Sequence, residues 1–402
     1  MKLVRACLGA FFAITVAWCA LVEIAEYVAA ARFGMALDGD WFLLLTGSSA
    51  REVVQFIRLH ASTLATAAIL FAAISTFAAW AAFRASRGAF LCALAAATAF
   101  ACVRIAQSGS IRGWKPLYVA FDTLRGAREY KRVGDAGRWT AERAASVRKA
   151  PLDSTNYVFV IGESLTTARI PFFGYEKNTM PRLSALGSRL AALGPVRAPS
   201  PYTVKSLMRL LVDGEASAPV LFRQAGWRTC FVSAQERWER YCSVESAIFS
   251  ACERKVYLSE IGKTGRVIYD EMLLPHVEKM MSQTDGRPFA LFMHMIGSHF
   301  PPESRIPAGF ADNESLDPYD RTVRYADDVL ARLIAMLPPR TEMIFISDHG
   351  ESVGADNWRD IRSAALWSVP VFIYPAPASS PPMDTADDFV SAWRSRIPNV
   401  PW

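Results

Sequence analysis

Two apolar runs break off at acids: YVFVIGES, 157–164, and MIFISDHGES, 343–352. Glu163 follows the first, and Asp348 with His349 follows the second. A third run, 289–295, leads into HMIGSH, which holds His294 and His299. Carboxylates and imidazoles gathered at one place make a divalent-metal site, and mixed oxygen and nitrogen donors favour zinc. Each residue alone has an ordinary reading. An acid after a strand often caps the next helix, and a histidine in a GSH turn is often a satisfied loop residue. The chain has five histidines. His60 borders an apolar span and His276 follows LLP on a helical stretch, so both read as structural. Coincidence of Glu163, His299, Asp348 and His349, all past strand candidates, is what argues for a site.

Such a site needs a nucleophile, and SPYTVKSLMRLL, 200–211, supplies the best candidate. Thr203 stands before an amphipathic run carrying Leu207, Leu210 and Leu211. A hydroxyl at a helix N-terminus gains from the dipole and from backbone N–H groups that also receive phosphate. Zinc beside it lowers its pKa and makes an alkoxide available near neutral pH. By itself, Thr203 reads more simply as an N-cap.

The elements that must position these residues are legible from about residue 154 onward. Apolar strand candidates at 157–161, 228–233, 289–295, 343–347 and 369–374 alternate with helical stretches at 179–193, 265–282 and 317–336. This alternation predicts an α/β domain with a largely parallel sheet covered on both faces. Ligands in such sheets bind beyond the carboxyl ends of the strands, which is where Glu163, His299, Asp348 and His349 fall. PAPASSPPMD, 375–384, reads as a loop.

The other third of the chain is different. Of 402 residues, 52% are apolar and 20% charged, and the apolar excess sits near the N-terminus. LATAAILFAAISTFAAWAAF, 64–83, carries no charge and at helical rise crosses a hydrocarbon core of roughly 30 Å. GAFLCALAAATAFACV, 88–103, is a shorter second run, and Ala6–Ala30 a third, interrupted by Glu23 and Glu26. These predict a transmembrane region of about three spans over residues 1–107, a basic linker over 108–153 and a catalytic domain over 154–402. A signal peptide is the alternative reading of the first run. Lys2, Arg5, Arg84 and Arg87 place their flanks in the cytoplasm and the large domain outside. Residues 104–150 pull the other way, with eleven basic residues against four acidic ones, but charge counts weakly on long translocated segments. Such a segment suits anionic lipid head groups. It carries no nucleic-acid motif, so nucleic acid is excluded as a partner. Cys242 and Cys252 flank a short polar loop and are placed to staple it in an oxidising compartment, and Cys230 reads as a buried strand residue.

Taken together, VFVIGESLTTARIPFFGYEKNTMPRLSAL, 158–186, resembles the opening of the phosphoethanolamine transferases, membrane-bound members of the alkaline phosphatase/sulfatase superfamily. SPYTVKSLM resembles their nucleophile segment. YDEMLLP (269–275), HMIGSH (294–299), YDRTVRYADDVL (319–330) and SDHGES (347–352) follow in the family's order. The likeness covers about residues 154–375, and the membrane part is similar in layout alone. It implies an alkaline-phosphatase/sulfatase-like α/β sheet after a helical membrane region, in the bacterial inner membrane as a multi-pass protein with a periplasmic catalytic domain. It implies zinc held by Glu163, Thr203, Asp348 and His349, with Thr203 attacking phosphatidylethanolamine. The phosphoethanolamine would pass to lipopolysaccharide, on a core sugar or lipid A. His299, His294 and Lys205 would contact substrate, and His299 alternatively a second zinc.

The chain departs from the family pattern in three respects. No histidine follows His349, where lipid-A-acting members carry one about a dozen residues on, which argues for one zinc site rather than two and moves the acceptor towards core sugars or glucans. Cysteines that often bracket the nucleophile are missing, and the resemblance matches Cys242 and Cys252 to a different family disulfide. About three spans replace the five of many members, with WFLLLTGSSAREVVQFI, 41–57, read as an interfacial helix. A sulfatase nucleophile in C/S-x-P-x-R context is absent. A glycerophosphate transferase or a phosphodiesterase acting on envelope glycans, and an inactive envelope scaffold, are the competing readings.

Overall fold

A computed structural model of the chain describes residues 2–34, 54, 57–58, 60–84, 88, 116, 118–125, 128, 155–213, 216–235, 244–261, 267–283, 285–310, 316–353, 360–379, 382–397 and 400. The chain forms two compact units, Met1–Glu129 and Tyr130–Trp402. In the first, helices α1 (Lys2–Phe33) and α2 (Ala61–Arg84) pack along each other. Among the described residues, Ala13–Ala31 and Ala61–Ala78 are long and apolar enough to cross a membrane by length and composition. The third expected span, beyond residue 88, most of 41–57 and most of the expected linker lie outside the described residues.

The second unit is built on a seven-stranded sheet in the order β2-β9-β8-β1-β7-β5-β6. Its strands are β1 (Asn156–Gly162), β2 (Ala191–Arg197), β5 (Arg228–Ser233), β6 (Arg254–Tyr257), β7 (Phe289–His294), β8 (Thr341–Ser347) and β9 (Ser368–Tyr374). A two-residue pair, β3 (Val212–Asp213) and β4 (Ala216–Ser217), stands apart. The run β8-β1-β7-β5-β6 is parallel, and β9 and β2 add antiparallel on one side. All five expected strands are present, and the sheet is largely parallel as expected.

Burial on both faces explains why the central strands read as unbroken apolar runs. Alternate residues feed two cores. Tyr157, Phe159, Ile161, Phe292, Ile344 and Ile346 join one cluster with α3 (Thr203–Leu211), α4 (Ala218–Gln224), α5 (Val244–Ile248) and α8 (Ala386–Arg396). Val158, Val160, Leu291, Met293, Met343 and Phe345 join the other with α6 (Leu274–Ser282) and α7 (Pro318–Met336). Aromatic stacking fixes the first core, with Phe159 on Phe292 at 5.0 Å between ring centroids and Phe231 on Phe249 at 3.8 Å. Both long terminal helices carry sequence-encoded starts. Asp317 caps α7 by accepting from Asp320 N at 2.9 Å, with Pro318 next, and Thr385 with Asp388 forms a capping box on α8.

Two helical expectations are corrected. The stretch 179–193 yields helix only over Pro181–Ser184. Gly187 then turns with φ +54, and Ala191 onward pairs antiparallel with β9. A left-handed glycine ends a helix readily, and pairing with the open side of β9 overrides the periodic leucines. The stretch 265–282 is extended at Tyr269, starts as a 3₁₀ turn at Asp270, and becomes α-helical at Leu274 with Pro275 in its first turn. Strands β2 and β6 were not legible, because the first contains Gly194-Pro195 and the second is the charged RKVY. Cys230 is buried in β5, and Cys252 is a buried free thiol; Cys242, its expected partner, lies outside the described residues.

Candidate metal centre

The parallel register lines up the chemistry. Ile161 pairs with His294, Gly162 with Ser347, and Ser233 with His294, so residues just past these strands meet at one edge. One donor atom each from Glu163, Asp348 and His349 lies within 4.8 Å of the others, and all three residues are buried. Thr203 joins them, its Oγ1 donating to Glu163 Oε2 at 3.1 Å. Its expected role as N-cap is not what the structure has. Tyr202 occupies the cap with extended backbone and no side-chain cap bond, and Thr203 is the first helical residue of α3.

The immediate surroundings show why the acids do not cap helices. Asp348 Oδ1 accepts from Ser164 N at 3.0 Å and His349 N at 2.7 Å, tying the two strand ends together. Asp348 Oδ2 is buried and accepts no hydrogen bond among the described residues. His349 Nδ1 sits 2.7 Å from Gly350 O. A carbonyl only accepts, so the neutral ring carries its hydrogen on Nδ1 and a lone pair on Nε2. That lone pair faces Glu163 Oε1 at 3.4 Å and Asp348 Oδ2 at 3.3 Å. Three acceptor-bearing atoms pointing at one buried space repel unless a cation lies between them. The donor set of two carboxylates, an imidazole and a hydroxyl fits a divalent ion, zinc among them.

Several residues of the site were not found from their own chemistry. Gln235, just past β5, donates from Nε2 to Glu163 Oε2 at 3.3 Å and to Met295 O at 2.8 Å. Ser164 adopts φ 58, left-handed for a residue with a Cβ, which costs about 1–2 kcal/mol. It is held there by its hydroxyl on Glu163 Oε1 at 2.9 Å and by Tyr319, whose hydroxyl donates to Ser164 O at 2.6 Å. Ser347 Oγ accepts from Leu165 N at 2.9 Å. Asp320 accepts from Arg169, Tyr175 and Lys177, and Asp327 from Arg182 N and Leu183 N, all at 2.8–3.0 Å, the ordinary range for such bonds. The family-like motifs around Tyr175, Pro181 and Tyr319 therefore bracket the loop that carries Glu163.

Of the expected substrate contacts, His294 ends β7 and is fully buried, with Nε2 at 4.0 Å from Glu163 Oε2. His299 lies in the following turn, where Arg305 wraps it: Nε donates to His299 O at 2.9 Å and Nη2 to Phe300 O at 3.1 Å. Lys205 is on the first turn of α3 and half-buried. A cleft of about 320 Å³ is lined by residues that include Ser298, Phe300, Tyr319, Glu351 and Ser352. Ser298 ties it to the centre by donating from N to Glu163 O at 2.9 Å.

Asp270, in YDEMLLP, clamps the turn after β7 by accepting from Ile296 N at 2.7 Å and Gly297 N at 2.9 Å. Burial pushes its carboxyl up to about 6, against the pull of those two N–H groups. An acid raised in the folded state contributes stability that is whole below its unfolded pKa, roughly 4, and is lost as pH rises through about 6. Asp270→Asn is expected to remove that share of the pH dependence in thermal melts. It also turns one acceptor into an NH₂ facing a backbone N–H, at a cost of about 1–3 kcal/mol. A variant that melts like the parent across this range would show that the clamp carries no such stability.

Comparisons with known proteins agree with this fold. The family model described as Sulfatase matches residues 155–393. The chain is 27% identical over 269 residues to the phosphoethanolamine transferase EptA of Helicobacter pylori, covering 58% of this chain and 50% of that one. The chain spans about half the length of the curated relatives it matches. The zinc complex of the C-terminal periplasmic domain of EptC from Escherichia coli superposes with a TM-score of 0.53 at 20% identity, over 62% of this chain and 84% of that one. The integral membrane lipooligosaccharide phosphoethanolamine transferase A, EptA, from Neisseria meningitidis superposes with a TM-score of 0.62 at 16% identity, over 98% of this chain and 84% of that one. At these identities the two structures speak to the fold.

Proposed function

This chain belongs to the sulfatase family, and on that premise we propose that it is a zinc-dependent phosphoethanolamine transferase of the bacterial inner membrane. The observation that carries the reading is Thr203 Oγ1, 3.1 Å from Glu163 Oε2, in the buried group completed by Asp348 and His349. Zinc held by Glu163, Thr203, Asp348 and His349 supplies Lewis-acid stabilisation of charge on oxygen and a lowered hydroxyl pKa.

The chain's own residues supply the rest. Thr203 attacks the phosphorus of phosphatidylethanolamine. An Oγ–P bond forms, the P–O bond to diacylglycerol breaks, and diacylglycerol leaves with a proton. A hydroxyl of lipopolysaccharide, on a core sugar or lipid A, then attacks the same phosphorus and releases Thr203 with its proton restored. Position counts for most of the rate in phosphoryl transfer, and here Glu163 fixes the hydroxyl while α3 presents it at a helix N-terminus. Lys205 and His299 meet the phosphoryl oxygens, and the cleft beside Ser298 leaves room for the donor headgroup. The apolar α1 and α2, with the expected third span over 88–103, anchor the chain and leave residues 154–402 in the periplasm beside a lipid donor. The likeness to the Helicobacter pylori transferase supports the group transferred.

Mass spectrometry of lipopolysaccharide, split into lipid A and core, tests this in cells expressing the chain or Thr203→Ala. A phosphoethanolamine increment that depends on Thr203, in either fraction, is the expected result and locates the acceptor. Its absence from both fractions counts against lipopolysaccharide and turns the search to glucans and other envelope glycans, then to a glycerophosphate donor.

A further inference from the structure

The imidazole of His294 is built into the site in the same way as that of His349. It terminates β7 with none of its surface exposed. Its Nδ1 lies 3.2 Å from Glu245 Oε2, on α5. A carboxylate only accepts, so in the neutral ring Nδ1 carries the hydrogen and Nε2 the lone pair. That Nε2 has no hydrogen-bond partner among the described residues. It points to Glu163 Oε2, at 4.0 Å, the oxygen that also receives Thr203 Oγ1 at 3.1 Å. A buried, unpartnered nitrogen lone pair facing a carboxylate oxygen is a costly arrangement unless a cation fills the gap.

The carboxylate–histidine pairing is the usual support of a metal-ligating imidazole, since it fixes the ring's tautomer and raises its basicity. Glu163 is then flanked on both sides. His349 Nε2 faces Oε1 at 3.4 Å, supported by Gly350 O, and His294 Nε2 faces Oε2, supported by Glu245. A substrate contact, the role its position in HMIGSH implies, asks for an N–H or a charge aimed at phosphoryl oxygens. The tautomer set by Glu245 presents a lone pair instead.

From this geometry we infer that His294 is a ligand to the divalent cation of this centre, on the Thr203 side of Glu163, and that Glu245 is its positioning residue. The inference rests on the reading that the centre holds such a cation. It adds a nitrogen donor to the set Glu163, Thr203, Asp348 and His349, and it draws α5 and its Glu245 into the site.

The test uses zinc alone, on the detergent-purified full chain. Zinc affinity is read by chelator competition, and the Co²⁺-loaded protein is read by its visible absorption. His294→Ala is expected to weaken zinc binding by about 100-fold or more and to shift the Co²⁺ bands, as loss of a nitrogen donor does. Glu245→Gln, which leaves the imidazole in place, is expected to weaken binding by about 10–100-fold. It decides the matter if His294→Ala does not fold. A parent chain that binds zinc while both variants keep its affinity and its Co²⁺ spectrum would overturn the inference alone. A parent chain that binds no zinc would overturn the metal reading of the whole site and this inference with it.

Discussion

Thr203→Ala is expected to reduce diacylglycerol release from phosphatidylethanolamine to background, a fall on the order of 10⁴-fold or more, as for other enzymes stripped of their nucleophile. The reason is chemical rather than structural. Alanine is the best helix former, Thr203 is only half-buried at the first helical position of α3, and Leu207, Leu210 and Leu211 keep the helix docked. Glu163, Asp348 and His349 remain, so zinc content should fall far less than activity. Thr203→Ser, which keeps an oxygen but loses the methyl group that fixes its rotamer, should retain measurable release. The assay is chromatography of diacylglycerol formed by the full chain in detergent with phosphatidylethanolamine. Parental release by Thr203→Ala would remove Thr203 as nucleophile and, with it, the covalent route.

How far the site could be read from the chain depends on what each residue does. Glu163, Asp348 and His349 were legible because long apolar runs ending in ionisable residues are costly unless those residues work together, and parallel register brings strand ends to one edge. Thr203 was legible as a hydroxyl at a helix start; a cap, its reading when taken alone, accepts from N–H groups in the first turn of its own helix, whereas Thr203 is the first helical residue and donates across to Glu163. Gln235, Ser164 and Tyr319 had no comparable signal. An amide, a hydroxyl and a phenol announce nothing by type, and their partners lie 72, 1 and 155 residues away in the chain. The central strands were legible for the same reason as the acids, since burial on both faces leaves only apolar choices. The side strand β2 was not, because pairing on one side only tolerates Gly194 and Pro195, and the neighbouring leucines imitate a helix.

Gly297→Ala is expected to cost both stability and metal affinity. Gly297 lies in HMIGSH, two residues before His299, with φ +50. Two costs add there. The left-handed backbone costs a residue with a Cβ about 1–2 kcal/mol. The added Cβ would also stand 2.5 Å from Glu163 O and 3.0 Å from Glu163 N, which are backbone atoms and not the yielding end of a side chain. Something must therefore move, and the neighbours are the Ser298 N–H bond to Glu163 O at 2.9 Å and the Asp270 clamp on Gly297 N at 2.9 Å. Either shift carries Glu163 away from Asp348 and His349, so zinc affinity should drop together with stability. Gly187→Ala separates the two costs, because Gly187 has nearly the same backbone, φ +54, with nothing within 4 Å of its added Cβ. That variant should lose about 1–2 kcal/mol and no zinc. Gly297→Ala should lose on the order of 3 kcal/mol or more, the range of core overpacking added to the backbone term, together with most of its bound metal. Thermal melts and zinc analysis of the two variants side by side give the answer. Equal losses would mean that the turn after β7 yields freely and that its close approach to Glu163 does not set the geometry of the metal centre.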